Sequence, residues 1–162
     1  MEFVEFITNQ LRTLPVVKAP LTGKTILLTG GNNGIGYETA LHLARLDPAR
    51  LIIACRSMDK GEKAVQQIKD ATGSEFIECW KLDLSSYESV KAFGKRYKNS
   101  GLSLDILIAN AGMSPRVYEL TKDGHECAVQ TNYLSQAYLV FGLSLVSSPP
   151  SGKQSTHYHT RF

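Results

Sequence analysis

A glycine-rich turn separates a short apolar segment from a helical segment near the start of this 162-residue chain. The apolar segment, Lys24 to Thr29, predicts a buried strand, and the helix is predicted to open at Tyr37 and to end near Leu46. Residues 30–36, called the glycine turn below, read Gly-Gly-Asn-Asn-Gly-Ile-Gly. Glycines let a backbone turn tightly and approach a pyrophosphate, and the following helix offers free N–H groups. Outside this order of elements, a glycine cluster would indicate no more than a tight turn.

The chain continues to residue 146 as an alternation of short apolar segments and longer amphipathic ones. Further strands are predicted over Arg50 to Cys55, Glu75 to Leu82 and Leu104 to Asn110. Helices are predicted over Asp59 to Ala71, from Ser85 with Glu88 as its capping-box partner, and over Asp123 to Val146. This alternation indicates an α/β fold with a parallel sheet covered on both faces. The right-handed crossover rule predicts a Rossmann-like, doubly wound sheet in the order 3-2-1-4, incomplete because its later strands are missing.

Three segments are predicted along the chain. Residues 1–20 form an amphipathic helix and linker, residues 21–146 the nucleotide-binding domain, and residues 147–162 a disordered tail without apolar periodicity. The N-terminal helix is predicted from apolar residues at helical spacing, namely Phe3, Phe6, Ile7, Leu11 and Leu14. Packing of this apolar stripe against its own domain or a partner subunit is favoured over contact with a membrane surface.

Composition excludes several classes of protein. A formal net charge of +3 is too small to indicate a nucleic-acid-binding protein. No apolar run is long enough to span a bilayer, and the N-terminus is acidic where a secretory signal would be basic. Cys55, Cys79 and Cys127 lie far apart, so reduced thiols in an intracellular, cytoplasmic protein are expected. His157 and His159 lack further ligands nearby, so no metal site is expected.

Four ordered motifs over residues 24–146 resemble the short-chain dehydrogenase/reductase family, in its retinol-dehydrogenase-like or fungal secondary-metabolite form. Residues 29–36 have the spacing Thr-Gly-x-x-x-Gly-x-Gly of the family's cofactor signature. Asp83-Leu84 after the third strand, Asn110-Ala111-Gly112 after the fourth and Asn132 in the last helix follow in the family's order. Ala109 departs from the pattern, because the family often has a second asparagine there.

The resemblance implies a role for each motif. Asp83 would form a hydrogen bond with the adenine ring, Asn110-Ala111-Gly112 would lie beside the nicotinamide ribose, and Asn132 would be a catalytic residue. Together with the residues discussed next, the expected cofactor-binding set is Thr29, Gly30, Asn33, Gly34, Ile35, Gly36, Arg56, Lys60, Asp83, Leu84, Asn110, Ala111 and Gly112.

The end of the second strand indicates which nicotinamide cofactor is bound. An Asp or Glu at this point would accept a hydrogen bond from the ribose 2′-hydroxyl of NAD. This chain instead has Arg56, followed by Lys60, and a guanidinium pairs well with the 2′-phosphate of NADP. Charged hydrogen bonds of this kind contribute about 1.5–3 kcal/mol each, so NADP is the predicted cofactor. A solvated arginine at a strand end is the alternative.

The remaining catalytic groups of the family are not identifiable in the sequence. They are a serine and a Tyr-x-x-x-Lys pair that follow the asparagine, and the tyrosine exchanges a proton with the substrate oxygen during hydride transfer. Tyr87 with Lys91 and Tyr118 with Lys122 have the spacing, but both pairs precede Asn132. We therefore expect a shortened chain, for which an early stop, an alternative splice product and a misread gene end are alternatives.

Two functions follow from these observations. The first is NADP-dependent hydride transfer to or from a carbonyl or secondary alcohol of a lipophilic small molecule. The alternative is an inactive NADP-binding module or a non-functional fragment. In that case we expect the open edge of the fourth strand to pair with another copy or with a full-length relative.

Overall fold

The computed structural model describes residues 7–8, 11 and 19–144, and the backbone of residues 157–160. Its strands are β1 (Thr25–Thr29), β2 (Arg50–Cys55), β3 (Ile77–Lys81), β4 (Ile106–Ala109) and β5 (His157–Thr160). Its helices are α1 (Gly34–Ala44), α2 (Met58–Thr72), α3 (Tyr87–Asn99), α4 (Cys127–Val129) and α5 (Ser135–Ser144). A π-helical turn over Gln130–Leu134 joins α4 to α5.

The strands form one parallel sheet in the order β3-β2-β1-β4-β5. The predicted order 3-2-1-4 is thereby confirmed. In the central register, Leu28 of β1 lies opposite Ile53 of β2 and Ile108 of β4. The carboxyl ends of these strands therefore meet at one edge of the sheet, the place where open α/β sheets bind ligands.

The segment predicted as a disordered tail contains a strand. His157–Thr160 pairs in parallel with β4, so that Ile106 lies opposite His157 and Ala109 opposite Thr160. The prediction of disorder is wrong for these residues, and so is the expectation that β4 is an open edge. Strand pairing uses backbone N–H and C=O groups, which a segment without apolar periodicity also carries. The rest of the predicted tail lies outside the described residues.

Alternating strand residues build two apolar cores, one on each face of the sheet. The core against α3 and α5 includes Leu27, Ile52, Phe93, Leu107 and Leu139. The core against α1 and α2 includes Ile26, Leu28, Ala40, Ile53 and Ile68. All five residues of β1 are buried, as expected for a strand covered by helices on both sides. The edge of the sheet that carries the predicted site is thus anchored by the most buried strand.

The start of α3 differs from the prediction. Ser86, and not Ser85, caps this helix, because the Ser86 Oγ accepts a hydrogen bond from the Ser89 N–H at 3.2 Å. The Ser85 N–H and hydroxyl instead donate to Asp83 Oδ1, at 3.0 and 2.6 Å. The predicted capping box of Ser85 with Glu88 is therefore wrong, since Ser85 is already engaged by the preceding carboxylate.

The last helical segment is shorter than predicted and is interrupted. Gly124 has φ 83°, a left-handed conformation, and helical structure begins only at Cys127. Asp123 lies in the preceding loop, where its Oδ2 accepts from the Tyr87 N–H at 2.8 Å and from Gln130 Nε2 at 2.6 Å. The Asp123 carboxylate thus accepts from a free N–H at the start of α3. This contact holds Asp123 in the loop, so the residue does not begin the last helix.

Part of the predicted N-terminal helix is described. Ile7 and Thr8 are helical, and the Leu11 N–H donates to the Ile7 C=O at 3.3 Å. The other residues of the predicted stripe lie outside the described residues. The division into residues 1–20, 21–146 and 147–162 accordingly stays a prediction, apart from the tail strand. Within the described part of the chain, no helix combines the length and apolar character needed to cross a membrane.

Gly61 of α2 lies directly over two cysteines of the sheet. The Sγ atoms of Cys55, at the end of β2, and Cys79, in β3, are 3.4 Å apart. A Cβ added at Gly61 would lie 2.2 Å from the Cys79 Sγ and 2.5 Å from the Cys55 Sγ. The close contact between α2 and the sheet therefore requires a residue without a side chain at this position.

We expect Gly61→Ala to lower the free energy of unfolding by about 1–3 kcal/mol, because the new methyl group overpacks the two thiols. Gly94→Ala in α3 is the matched control, since an added Cβ there meets no heavy atom within 4 Å. The control is expected to gain up to about 1 kcal/mol from better helix propensity. Urea unfolding followed by circular dichroism measures both, and equal effects would contradict this packing.

Candidate cofactor-binding site

A cleft of about 440 Å³ lies at the carboxyl ends of β1, β2, β3 and β4. It is lined by most of the residues predicted from the sequence to bind a cofactor: Gly30, Asn33, Gly34, Ile35, Gly36, Arg56, Lys60, Asp83, Leu84, Asn110, Ala111 and Gly112. Two predicted residues, Thr29 and Asn132, lie outside this lining and contact residues that belong to it. Four separate segments of the sequence are therefore brought to one cavity.

The glycine turn packs closely against the end of β4. Gly30 has φ 70°, and a Cβ there would lie 2.9 Å from the Ala111 Cα. A Cβ at Gly36 would lie 2.2 Å from the Gly30 carbonyl oxygen. Asn33 precedes α1 and makes no side-chain capping hydrogen bond. The first N–H groups of α1 therefore lie at the cleft without a capping side chain, which suits an anionic ligand.

Thr29 holds the end of β4 against the end of β1. Its fully buried Oγ1 accepts hydrogen bonds from the Asn110 and Ala111 N–H groups, both at 3.0 Å. The Asn110 Nδ2 donates in return to the carbonyl oxygens of Thr29, at 3.1 Å, and Gly30, at 3.3 Å. These contacts fix the position of residues 110–113, called the β4 loop below, relative to the glycine turn. Thr29 is accordingly a positioning residue.

Asp83 is held rigidly on the wall of the cleft that follows β3. Its Oδ1 accepts two hydrogen bonds from Ser85, and its N–H donates to the Ser89 Oγ at 2.9 Å. Within the part of the chain that the structure describes, no hydrogen bond to Asp83 Oδ2 occurs. That oxygen can therefore accept a hydrogen bond from a ligand without disturbing the loop.

Asn132 clamps the β4 loop from the other side. Its Oδ1 accepts from the Met113 N–H and its Nδ2 donates to the Met113 C=O, both at 2.8 Å. Gln136 adds a hydrogen bond from its Nε2 to the Ala111 C=O at 2.7 Å. Asn132 lies in the π-helical turn, a feature that is frequent at functional sites. Its predicted catalytic role stays a prediction, and its observed contacts orient the β4 loop.

Two cations occupy the end of the cleft that follows β2. Arg56 and Lys60 both line the cavity, and their side chains are exposed. Neither takes part in an ion pair with any residue that the structure describes. The Lys81 Nζ donates to the Arg56 C=O at 2.5 Å and holds the backbone at this point. This end of the cleft thus offers uncompensated positive charge to a ligand.

Several cleft residues were not predicted from the sequence, namely Asn32, Ala54, Cys55, Ser57, Leu82, Ser85, Met113 and Thr131. Except for Ala54 and Thr131, each lies next to a residue predicted to bind the cofactor, so extending each motif by one position would have included it. Thr131 reaches the cleft from the π-helical turn, which a 3.6-residue pattern does not reveal.

No residue of the two Tyr-x-x-x-Lys spacings lines the cleft. The Tyr87 ring packs edge-on against the rings of His125 and Tyr138, at 5.6 and 6.0 Å between centroids. Lys122 forms an ion pair with Glu88 at 3.0 Å. Tyr87 and Lys122 thus make structural contacts outside the cleft.

We expect Thr29→Val to lower the free energy of unfolding by about 1–3 kcal/mol, because it leaves two partly buried N–H groups without an acceptor. Thr29→Ser keeps the oxygen and is the matched control, with a smaller expected loss. Thermal and urea unfolding measure both. Equal losses for the valine and serine variants would show that Oγ1 does not hold the two strand ends together.

Known proteins of one family are similar to this chain. A family model described as short chain dehydrogenase matches residues 24–144. The short chain dehydrogenase/reductase dmxR8 of Cryptosporiopsis sp. is 37% identical over 159 residues, which cover 96% of this chain and 48% of that protein. Human retinol dehydrogenase 11 is 40% identical over 133 residues, which cover 81% of this chain and 42% of that protein.

A solved structure has the same arrangement of elements. The NADP active-site complex of RhlG from Pseudomonas aeruginosa superposes with a TM-score of 0.64 at 27% identity. The match covers 76% of this chain and 46% of that one. The chain described here thus spans about half the length of the curated relatives that it matches.

Proposed function

Because this chain belongs to the short chain dehydrogenase family, we propose that it supplies the NADP-binding part of an oxidoreductase. The observation that carries the proposal is the cleft, where the glycine turn, Asp83 and the unpaired cations Arg56 and Lys60 line one cavity. The nicotinamide ring supplies the hydride chemistry when the cofactor is bound. The residues of this chain bind and orient it.

The donors along the cleft match the parts of a dinucleotide. The first N–H groups of α1 and the glycine turn suit a pyrophosphate, which needs close backbone approach and positive partial charge. The Oδ2 of Asp83 suits the adenine amino group as a hydrogen-bond acceptor. The β4 loop, fixed by Thr29 and Asn132, provides a rigid wall for the nicotinamide ribose.

Arg56 and Lys60 favour NADP over NAD. Both cations follow β2, where an acidic residue would be needed to accept from a free 2′-hydroxyl. An anionic 2′-phosphate would be the counter-charge that these side chains lack among the described residues. The RhlG structure, described as an NADP complex, supports the same choice of cofactor for this fold.

The substrate proposed for the complete enzyme is a carbonyl or secondary alcohol of a lipophilic small molecule. The relative named retinol dehydrogenase supports the lipophilic character of this substrate, since retinol is a lipophilic alcohol. Cys55, Cys79 and Cys127 are free thiols, which fits a reducing, cytoplasmic compartment. A homo-oligomer is also proposed. The edge of β4 is not offered as its interface, because β5 already pairs with that edge.

A second candidate function is an NADP-binding module that does not turn over substrate by itself. This function needs only the cofactor cleft, which the described residues form. The two candidates differ in turnover. Oxidation of NADPH by the purified chain with a lipophilic aldehyde or ketone would favour the oxidoreductase, whereas NADPH binding without oxidation would favour the module.

Arg56→Glu is expected to weaken NADPH binding roughly 10- to 100-fold, because it replaces a phosphate partner worth about 1.5–3 kcal/mol with a like charge. NADH binding should change little, since NADH lacks the 2′-phosphate. Titration of each nucleotide by its fluorescence on binding gives both dissociation constants.

Lys63→Glu is the control for this substitution, because Lys63 is exposed on α2, lies outside the cleft and undergoes the same change of charge. Its effect on NADPH binding should stay within about threefold, as expected for a screened surface charge. Similar losses for the Arg56 and Lys63 variants would mean that Arg56 acts through net charge and makes no specific contact.

A further inference from the structure

Two thiols meet beneath α2 at the cofactor end of the sheet. Cys55 lies opposite Lys81 in the β2–β3 register, and Cys79 lies opposite Ile53, so the cysteines are diagonal neighbours. Their Sγ atoms are nevertheless only 3.4 Å apart, below Gly61. This distance places the sulfur atoms in direct contact.

The thiol pair is connected to the cleft. Cys55 lines the cavity, and the two residues that follow it, Arg56 and Ser57, line it as well. The Cys55 Sγ also donates to the Ser57 C=O at 3.2 Å, which links the thiol to the turn that carries Arg56. Cys55 is only 4% exposed, so an oxidant reaches its Sγ only when the end of β2 opens towards the cleft, and any movement of Cys55 is passed to Arg56.

The two thiols have different surroundings. A hydrogen bond from Cys79 lowers the pKa of Cys55, and the ammonium group of Lys81 acts in the same direction. The hydrogen bond to Cys55, followed by burial, raises the pKa of Cys79. Burial opposes the lowering at Cys55, but the net direction makes Cys55 the member of the pair that more readily forms a thiolate, the reactive form of cysteine.

We propose that Cys55 and Cys79 are a peroxide-oxidised thiol pair whose disulfide weakens nucleotide binding in the adjacent cleft. The Cys55 thiolate attacks an oxygen of hydrogen peroxide, so that an S–O bond forms, the O–O bond breaks and hydroxide leaves. The Cys79 thiol then attacks the sulfenic sulfur of Cys55, so that the S–S bond forms and the S–O bond breaks. Water leaves with the Cys79 proton, and the two electrons lost by the sulfurs have reduced the peroxide.

The effect on the cleft follows from the geometry of the sheet. A disulfide bond is about 2.05 Å long, whereas the two Sγ atoms lie 3.4 Å apart, so the sulfur atoms must approach each other when the bond forms. The end of β2 must therefore move towards β3 when the bond forms. Arg56 and Ser57 move with it, away from the position in which they line the cavity.

Binding and oxidation are linked in both directions. This linkage rests on the proposed function, because the nucleotide whose binding is measured is NADPH. If the reduced chain binds NADPH more tightly than the oxidised chain, then NADPH must also oppose formation of the disulfide. The expected weakening on oxidation is about tenfold or more, because it removes contacts at the 2′-phosphate end.

The first test counts thiols in the full chain after treatment with hydrogen peroxide. We expect the number of free thiols to fall from three to one and the mass of the chain to fall by two hydrogens. Dithiothreitol should restore both free thiols. Cys127 is the internal control and should remain reactive. Cys79→Ser should stop at a sulfenic acid on Cys55 that dimedone traps, whereas Cys55→Ser should keep both remaining thiols. Persistence of both Cys55 and Cys79, or addition of oxygen without a disulfide, would overturn the proposal.

The second test measures NADPH affinity before and after oxidation. Weaker binding by the oxidised chain that is reversed by dithiothreitol is the expected result, together with protection of Cys55 by saturating NADPH. A disulfide that forms without change in affinity would overturn the effect on the cleft. Failure of the reduced chain to bind NADPH would count against the proposed function, and the thiol count would still decide whether the pair is oxidised.

Discussion

The hydrogen bonds accepted by the Thr29 hydroxyl are the interaction on which the site depends. A backbone N–H that is withdrawn from water without a partner is costly, and the end of β4 leaves two partly buried N–H groups, those of Asn110 and Ala111, beside each other. One side-chain oxygen satisfies both, which places the glycine turn and the β4 loop at a fixed separation. Asn132 then fixes the far end of the same loop through Met113. The cleft is therefore shaped by side chains that do not line it.

The electrostatics of the cleft follow from the ends of the parallel strands. Each strand is followed by a helix or loop at the same edge of the sheet. α1 contributes its first N–H groups, the segment after β2 contributes the cations Arg56 and Lys60, and the loop after β3 contributes the Asp83 carboxylate. Donors and acceptors are thus separated along one cavity, as a ligand with several different parts requires. The thiols beneath α2 lie at the cationic end, where a small change in strand position moves Arg56.

Much of this arrangement could be predicted because strong local signals agree with one another. The bounds of β2, Arg50–Cys55, follow from an apolar run with polar residues on both sides, and the strand order follows from the handedness of crossovers. The failures arise where a tertiary contact decides. Asp123 caps α3 and therefore lies outside the last helical segment, in which it was predicted. Ser85 donates a hydrogen bond to Asp83 and therefore does not cap α3. β5 forms through backbone pairing, which leaves no trace in side-chain periodicity.

We propose that the ends of β1 and β4 form two walls of one dinucleotide site. The most direct measurement is a titration of the isotopically labelled chain with NADP⁺, followed by the amide resonances of residues 30–36 and 110–113. We expect both sets of resonances to shift together, with one saturable dissociation constant, and NAD⁺ to require a higher concentration. Shifts confined to one wall, or equal affinities for the two nucleotides, would contradict the proposal.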